Sequence, residues 1–226
     1  MDLSQTNNAE NEKRAGIFTG ISFPKIVTAF IGIFFVGIAI AFNARAGLGN
    51  DPIGILYDGV RAFFHLSADQ LGMASNIVNI AVLILVFFIG RHYVNIGTFI
   101  YILPYGFAVD LGNMIFKAIF PENLTMPLRI LAAVIGSTCL YIGIALYITI
   151  DIGVDPFSGL VMTLKDFLKK EYRLVKIGGD IICTIIGFIL GGKLGAITII
   201  CAFIAGPLIQ AFSGVFSKLL SKMHVI

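Results

Sequence analysis

One short motif occurs twice in this chain, each time directly after a long apolar run. Gly49-Asn50-Asp51-Pro52 forms turn 1, and Gly153-Val154-Asp155-Pro156 forms turn 2. A Thr that precedes a Gly by eight residues follows each turn: Thr98 and Gly106, then Thr198 and Gly206. Two copies of one unit within apolar sequence predict a fold of two matched halves, an arrangement on which alternating-access transporters are often built.

The apolar runs are long enough to cross a membrane. Hydrophobic residues make up 58% of the chain and charged residues 13%, with a mean hydropathy of +0.94, well above that of a soluble domain. A spanning helix needs about 20 apolar residues. The candidate spans are 26–42, 73–89, 96–115, 130–150, 177–190 and 197–215, of which the fifth is short. The sequence therefore predicts an all-α polytopic membrane protein with about six transmembrane helices.

Two shorter amphipathic stretches, 53–64 and 157–168, directly follow the two turns. Each has about 12 residues, too few to span the bilayer as a regular helix. One interpretation is an interfacial helix in which the Asp is only a cap. The other is a re-entrant helix whose opening lines a cavity. If both stretches crossed the membrane instead, each half would have four spans and the repeats would be parallel.

Basic residues predict the orientation. With the N-terminus inside, eleven Lys and Arg lie on the inner side and five on the outer side. The positive-inside rule then places both termini in the cytoplasm and the chain in the plasma membrane. Three spans per half make the repeats inverted. The expected division is a cytoplasmic tail at 1–22, repeats at 23–120 and 121–218, and a second cytoplasmic tail at 219–226.

The chemistry of the repeated turn is that of a helix start. An Asp can cap the helix, a Pro fits its first position, and the preceding Gly permits a sharp turn. A helix that opens this way points free N–H groups at one spot, which suits an anion or a polarised carbonyl. The residues that shape the two helix openings are Gly49, Asp51, Pro52, Gly153, Asp155 and Pro156.

Polar residues inside the spans are further candidates for a substrate or ion pathway. Asp110 lies about two thirds along the third span, at a depth where a carboxylate usually faces a cavity. Gln210 occupies the corresponding place in the second half. Asn79 and Asp180 also correspond, and either could line a polar path or make an interhelical hydrogen bond.

Other classes of function lack sequence support. The three histidines are dispersed, the three cysteines lie in apolar runs, and phosphate-binding, dinucleotide-binding and zinc-protease motifs are absent. The sequence therefore predicts neither an enzyme, a metal site nor a cofactor. The small net charge of +3 does not favour nucleic-acid binding. The expected partners are membrane lipid and an unidentified small molecule or ion, and homo-oligomer formation is left open.

The two turns, together with Asn95-Ile96-Gly97-Thr98-Phe99 and the Gly106 and Asp110 pair, resemble the bacterial YczE/YyaS/YitT-type integral membrane proteins. The resemblance covers nearly everything from 26 to 215. The YczE branch implies an Arg-Asp pair after the second Pro, whereas this chain has Phe157-Ser158 there. The chain is therefore closer to the YyaS-like branch. The resemblance implies a polytopic plasma-membrane protein and no particular substrate.

The leading functional hypothesis is a small secondary transporter or exporter with its site between the halves. Asp110, with Asn79 and Asp180, would supply a polar or proton-coupled element. A non-transporting membrane partner that stabilises or regulates another protein is the first alternative. The substrate-binding subunit of a vitamin importer is the second, although such a subunit needs no repeat. An intramembrane enzyme has the least support.

Overall fold

The computed structural model describes residues 22–223 and 225, and all regular structure in this part of the chain is helical. The predicted N-terminal tail lies outside the described residues except for Ser22. The α-helices of the described part are α1 Phe23–Ala46, α2 Pro52–Phe63, α3 Leu71–Ile89, α4 Ile96–Ile119, α5 Met126–Ile150, α6 Pro156–Leu168, α7 Tyr172–Ile189 and α8 Ala196–Lys222, and short 3-10 helices at Ala68–Gln70 and Arg91–Tyr93 flank α3. The last helix thus extends into the predicted C-terminal tail.

Five helical segments of the described residues are long and apolar enough to cross a membrane: Phe23–Ala46, Ala68–Ile89, Ile96–Ile119, Met126–Ile150 and Phe203–Lys222. The predicted fifth span, α7, is not among them. Its 18 residues correspond to about 27 Å, but Arg173, Lys176 and Asp180 lie in its first half. The architecture is therefore that of a polytopic helical membrane protein, and the predicted fifth span, α7, is supported by length but not by composition.

The first packing group consists of α1, α4, α5 and α8, with α1 between α4 and α5. Phe34 packs against Phe107 and Phe42 against Phe116, so α1 runs parallel to α4. The backbones of α1 and α5 touch at Gly32 and Gly143. Small residues permit such close approach between helices in lipid.

The second packing group consists of α2, α3, α6 and α7. In it, α2 packs on α7 through Gly59 and Gly187, and α6 packs on α3 where Thr163 contacts Gly90. A small apolar core of its own forms from Phe157, Val161, Val175 and Cys183. The two groups meet mainly where α3 contacts α4, so a space remains between them elsewhere.

Candidate functional site

A cavity of about 740 Å³, the central cavity, lies between the two packing groups. Helices α1, α4, α5 and α8 line one side of it, and α2, α6 and α7 line the other. Asp51 of turn 1 and Asp155 of turn 2 both reach it. The volume is within the range of about 300–1,000 Å³ that small-molecule sites occupy. The repeated motif of the sequence therefore converges on one site.

The glycines of the two turns are required by conformation and by space. Gly49 has φ +100° and Gly153 has φ +149°, and residues other than glycine rarely adopt these backbone angles. A Cβ on Gly49 would lie 2.6 Å from Thr198 Oγ1, and one on Gly153 would lie 2.9 Å from the Cα of Gly97. Each turn thus allows the start of a helix from the other half to approach closely.

The contacts between the halves are reciprocal. The Thr98 hydroxyl, at the start of α4, donates to the carbonyl of Val154 in turn 2 at 2.9 Å. At the start of α8, the Ile197 N–H donates to the carbonyl of Leu48, next to turn 1, at 3.0 Å. The repeated Thr, Gly and Asp-Pro positions of the sequence are therefore brought together across the two halves.

The two Asp side chains of the turns differ. Asp155 caps α6, because its Oδ1 accepts from the Ser158 N–H at 3.0 Å and its Oδ2 from the Ser158 hydroxyl at 2.5 Å. Asp51 makes no side-chain cap on α2. Its Oδ1 atom is buried and makes no hydrogen bond of normal geometry among the described residues, although the backbone N–H groups of Ile53 and Gly54 interact with this carboxylate more weakly. Unpaired buried acceptors are uncommon, because their desolvation is not compensated.

The remaining candidate residues of the sequence lie in different places. Asp180 lines the central cavity and forms an ion pair with Lys176 at 2.5 Å. Asn79 lies behind the cavity wall and accepts from the Tyr57 hydroxyl at 2.9 Å. Asp110 faces α3, where it accepts from the Gly72 N–H at 3.1 Å, and Gln210 is exposed on α8. Neither Asp110 nor Gln210 is part of the described cavity lining.

Tyrosine is the residue type that the sequence reasoning missed. Six of the seven tyrosines of the chain line the central cavity: Tyr57, Tyr101, Tyr105, Tyr141, Tyr147 and Tyr172. Four of these rings form a connected group, with centroids 5.8 Å apart between Tyr57 and Tyr105, 5.1 Å apart between Tyr101 and Tyr105, and 5.2 Å apart between Tyr101 and Tyr147. The spacing of Tyr101 and Tyr105 on one helical face was a usable signal.

A buried asparagine holds turn 1 against α1, and this residue was also missed. Asn50 is 3% exposed, and its side-chain amide donates to the Ile40 carbonyl at 3.3 Å. Its Oδ1 accepts from the Asp51 N–H at 3.0 Å and from the Asn43 side chain at 3.3 Å. Turn 2 has Val154 at this position, so only the first turn is fixed in this way.

At the end of α6 remote from turn 2, a hydrogen bond joins α6 to the connection between α3 and α4. The Tyr93 hydroxyl donates to Asp166 Oδ2 at 2.5 Å. This hydrogen bond holds the pKa of Asp166 below its ordinary value. The carboxylate therefore stays ionised at neutral pH. Its contribution to the stability of the folded protein is lost only as the pH falls through the lowered pKa of Asp166.

The two halves differ in how their last helices pack. In the first half, α3 contacts α4 so closely that a Cβ on Gly106 would collide with the Asn76 side chain. In the second half, α7 and α8 barely touch, and a Cβ on the corresponding Gly206 would meet nothing described within 4 Å. Both α7 and α8 line the central cavity at this gap.

Comparison with known proteins places the chain in a family. It is 25% identical over 184 residues to an uncharacterized protein of Haemophilus influenzae, and the match covers 81% of each chain. No solved structure matches this chain. The names of this relative and of the matching family contain no YczE, YyaS or YitT designation, so the YyaS-like branch stays a resemblance. The model of the family of unknown function DUF6198 matches residues 23–214, and the chain therefore belongs to that family.

Proposed function

We propose that this protein is a small secondary transporter that moves a small molecule or ion across the membrane by alternating access. The observation that carries the proposal is the convergence of both Asp-Pro turns on one cavity between two packing groups. Substrate sites at the interface of inverted repeats, next to helix openings, are a recurring design of such transporters. The transporter needs no catalytic group, cofactor or metal of its own.

The directions of the helices support inverted repeats. Gly32 of α1 meets Gly143 of α5, whereas Asn43 of α1 meets Gly136. The first helices of the two halves therefore run antiparallel, as two halves that enter the membrane from opposite sides require. In this arrangement α7 also crosses the membrane, which brings the number of spans to six, and its polar residues Lys176 and Asp180 face the cavity rather than lipid.

The difference between the halves supports a mechanism. A closed contact between α3 and α4 coexists with a gap between α7 and α8. Because the two halves have the same design, we expect a second state of comparable packing, in which α7 contacts α8 and a gap separates α3 from α4. Exchange between the two combinations would open the central cavity first to one side of the membrane and then to the other.

Disulfide crosslinking tests this exchange. In a background that lacks Cys139, Cys183 and Cys201, one variant carries Asn76→Cys with Gly106→Cys, across the closed contact. A second variant carries Ile177→Cys with Gly206→Cys, across the gap. We expect each pair to form a disulfide in native membranes. In a chain that carries both pairs, we expect the disulfide between α3 and α4 to prevent formation of the disulfide between α7 and α8.

A matched control pair, Ala41→Cys with Gly112→Cys, joins α1 to α4 within one packing group and should form in every state. If the control pair forms and the pair across the gap never does, the cavity is fixed and the transport proposal fails. A fixed cavity would favour the substrate-binding subunit or the non-transporting partner instead.

A further inference from the structure

We infer that the central cavity binds an organic cation with an ammonium head group. This inference rests on the proposed transport function and names its substrate class. It departs from the expectation that two helix N-termini select an anion. The charges, the aromatic rings and the uncapped Asp51 carboxylate of the cavity wall all favour a positive ligand.

The charge of the wall is negative. Asp51, Asp155 and Asp180 contribute three carboxylates, and Lys176 is the single charged amine among the described lining residues. The two helix N-termini add about half a positive charge each. The carboxylates outweigh these contributions, so an anion entering the cavity would meet a net negative wall.

The tyrosines place aromatic rings and hydroxyl oxygens in the cavity wall. Tyr57, Tyr141 and Tyr147 donate their hydroxyl protons to Asn79, Cys201 and the Gly97 carbonyl, respectively. Those protons are therefore not available to a ligand. Ring faces and lone pairs are both negative, and cages of such rings recognise quaternary ammonium groups.

Asp51 supplies the charge that such a ligand would neutralise. Asp51 lines the cavity, and its carboxylate lacks the two capping hydrogen bonds that Asp155 receives from Ser158. The cavity wall already contains an example of the same recognition. Lys176 Nζ lies 5.1 Å from the centre of the Phe157 ring and is paired with Asp180.

Three probes of nearly the same shape test the sign of the ligand charge. Choline is a cation, 3,3-dimethylbutan-1-ol is its neutral carbon isostere, and 3,3-dimethylbutanoate is an anion of similar bulk. Each is titrated calorimetrically into the full chain in lipid nanodiscs, in sodium chloride buffer. We expect saturable heat from choline alone. Equal or tighter binding of the neutral or anionic probe, or no binding of choline, overturns the inference.

Two pairs of variants locate the binding. Asp51→Asn should weaken choline at least about tenfold, whereas Asp166→Asn, remote from the cavity, should leave it unchanged. Tyr101→Leu should weaken choline about tenfold, whereas Tyr101→Phe keeps the ring face and should stay within about threefold. If Tyr101→Phe weakens binding as much as Tyr101→Leu, the hydroxyl rather than the ring makes the contact and the inference fails.

Failure of this inference and failure of the transport proposal are distinguishable. Disulfide exchange between the two cysteine pairs without choline binding would leave a transporter with another substrate class. If choline binds but the disulfide across the α7–α8 gap never forms, the protein binds cations without exchanging between the two states.

Discussion

Asp51 and Asp155 occupy the same position of the repeated motif, yet their carboxylates have different surroundings. Asp155 accepts two hydrogen bonds from Ser158. Turn 1 has Gly54 where turn 2 has Ser158, counting from the Asp, so no hydroxyl is available there. The carboxylate of Asp155 therefore stabilises its helix, while that of Asp51 lines the cavity without capping α2.

This difference predicts opposite effects on stability. Asp155→Ala should lower the free energy of unfolding by about 0.5–2 kcal/mol, because α6 loses its cap. Asp51→Ala should leave stability unchanged or raise it, because it removes a buried acceptor that makes no hydrogen bond of normal geometry among the described residues. Thermal unfolding of the two variants in detergent, without ligand, measures both effects. Equal destabilisation by the two substitutions would contradict the assignment.

At the scale of helices, close packing of α1 depends on glycine. A Cβ on Gly37 would lie 2.5 Å from the Cβ of Ala108, so Gly37→Ala should cost about 1–3 kcal/mol through overpacking. Gly214→Ala is the matched control, since a Cβ there meets nothing described within 4 Å. The control should be neutral or gain up to about 1 kcal/mol in helix propensity. Equal melting temperatures of the two variants would contradict this account.

The short helices show what the sequence could and could not predict. Their length, their Pro starts and the glycine turns followed from local rules, and α2 and α6 occur in the structure as expected. Whether they lay on the membrane surface or lined a cavity stayed open, because amphipathicity does not say which apolar surface covers a helix. The contacts of Gly59 with Gly187 and of Thr163 with Gly90 show that both helices pack against other helices beside the cavity, and these contacts depend on distant parts of the chain.

At the scale of the whole molecule, the sequence predicted two halves by chain order, whereas the helices pack in a different division. Each packing group takes two helices from either half. Asp51, Asp155 and Asp180 meet at the cavity for this reason, while Asp110 does not reach it. Six tyrosines from different helices converge there as well, which no local pattern specifies.

In this division Asp110 lies at the contact between α3 and α4, outside the described lining of the central cavity. Its carboxylate accepts from the Gly72 N–H in the first turn of α3, where a negative charge also interacts favourably with the helix dipole. It therefore stabilises the closed α3–α4 contact, and in the proposed mechanism this contact must break during each exchange.

Asp110→Ala should consequently shift the balance between the two states. Loss of about 1–2 kcal/mol from the closed α3–α4 contact changes a two-state ratio by roughly 5- to 30-fold. The Asn76→Cys/Gly106→Cys pair should then form disulfides more slowly, and the Ile177→Cys/Gly206→Cys pair faster. Glu122→Ala, an exposed carboxylate between α4 and α5, should change neither rate. If Asp110→Ala lowers the melting temperature but leaves the rates of disulfide formation of both pairs unchanged, Asp110 is a purely structural residue. In that case the α3–α4 contact does not break during the exchange and cannot influence it.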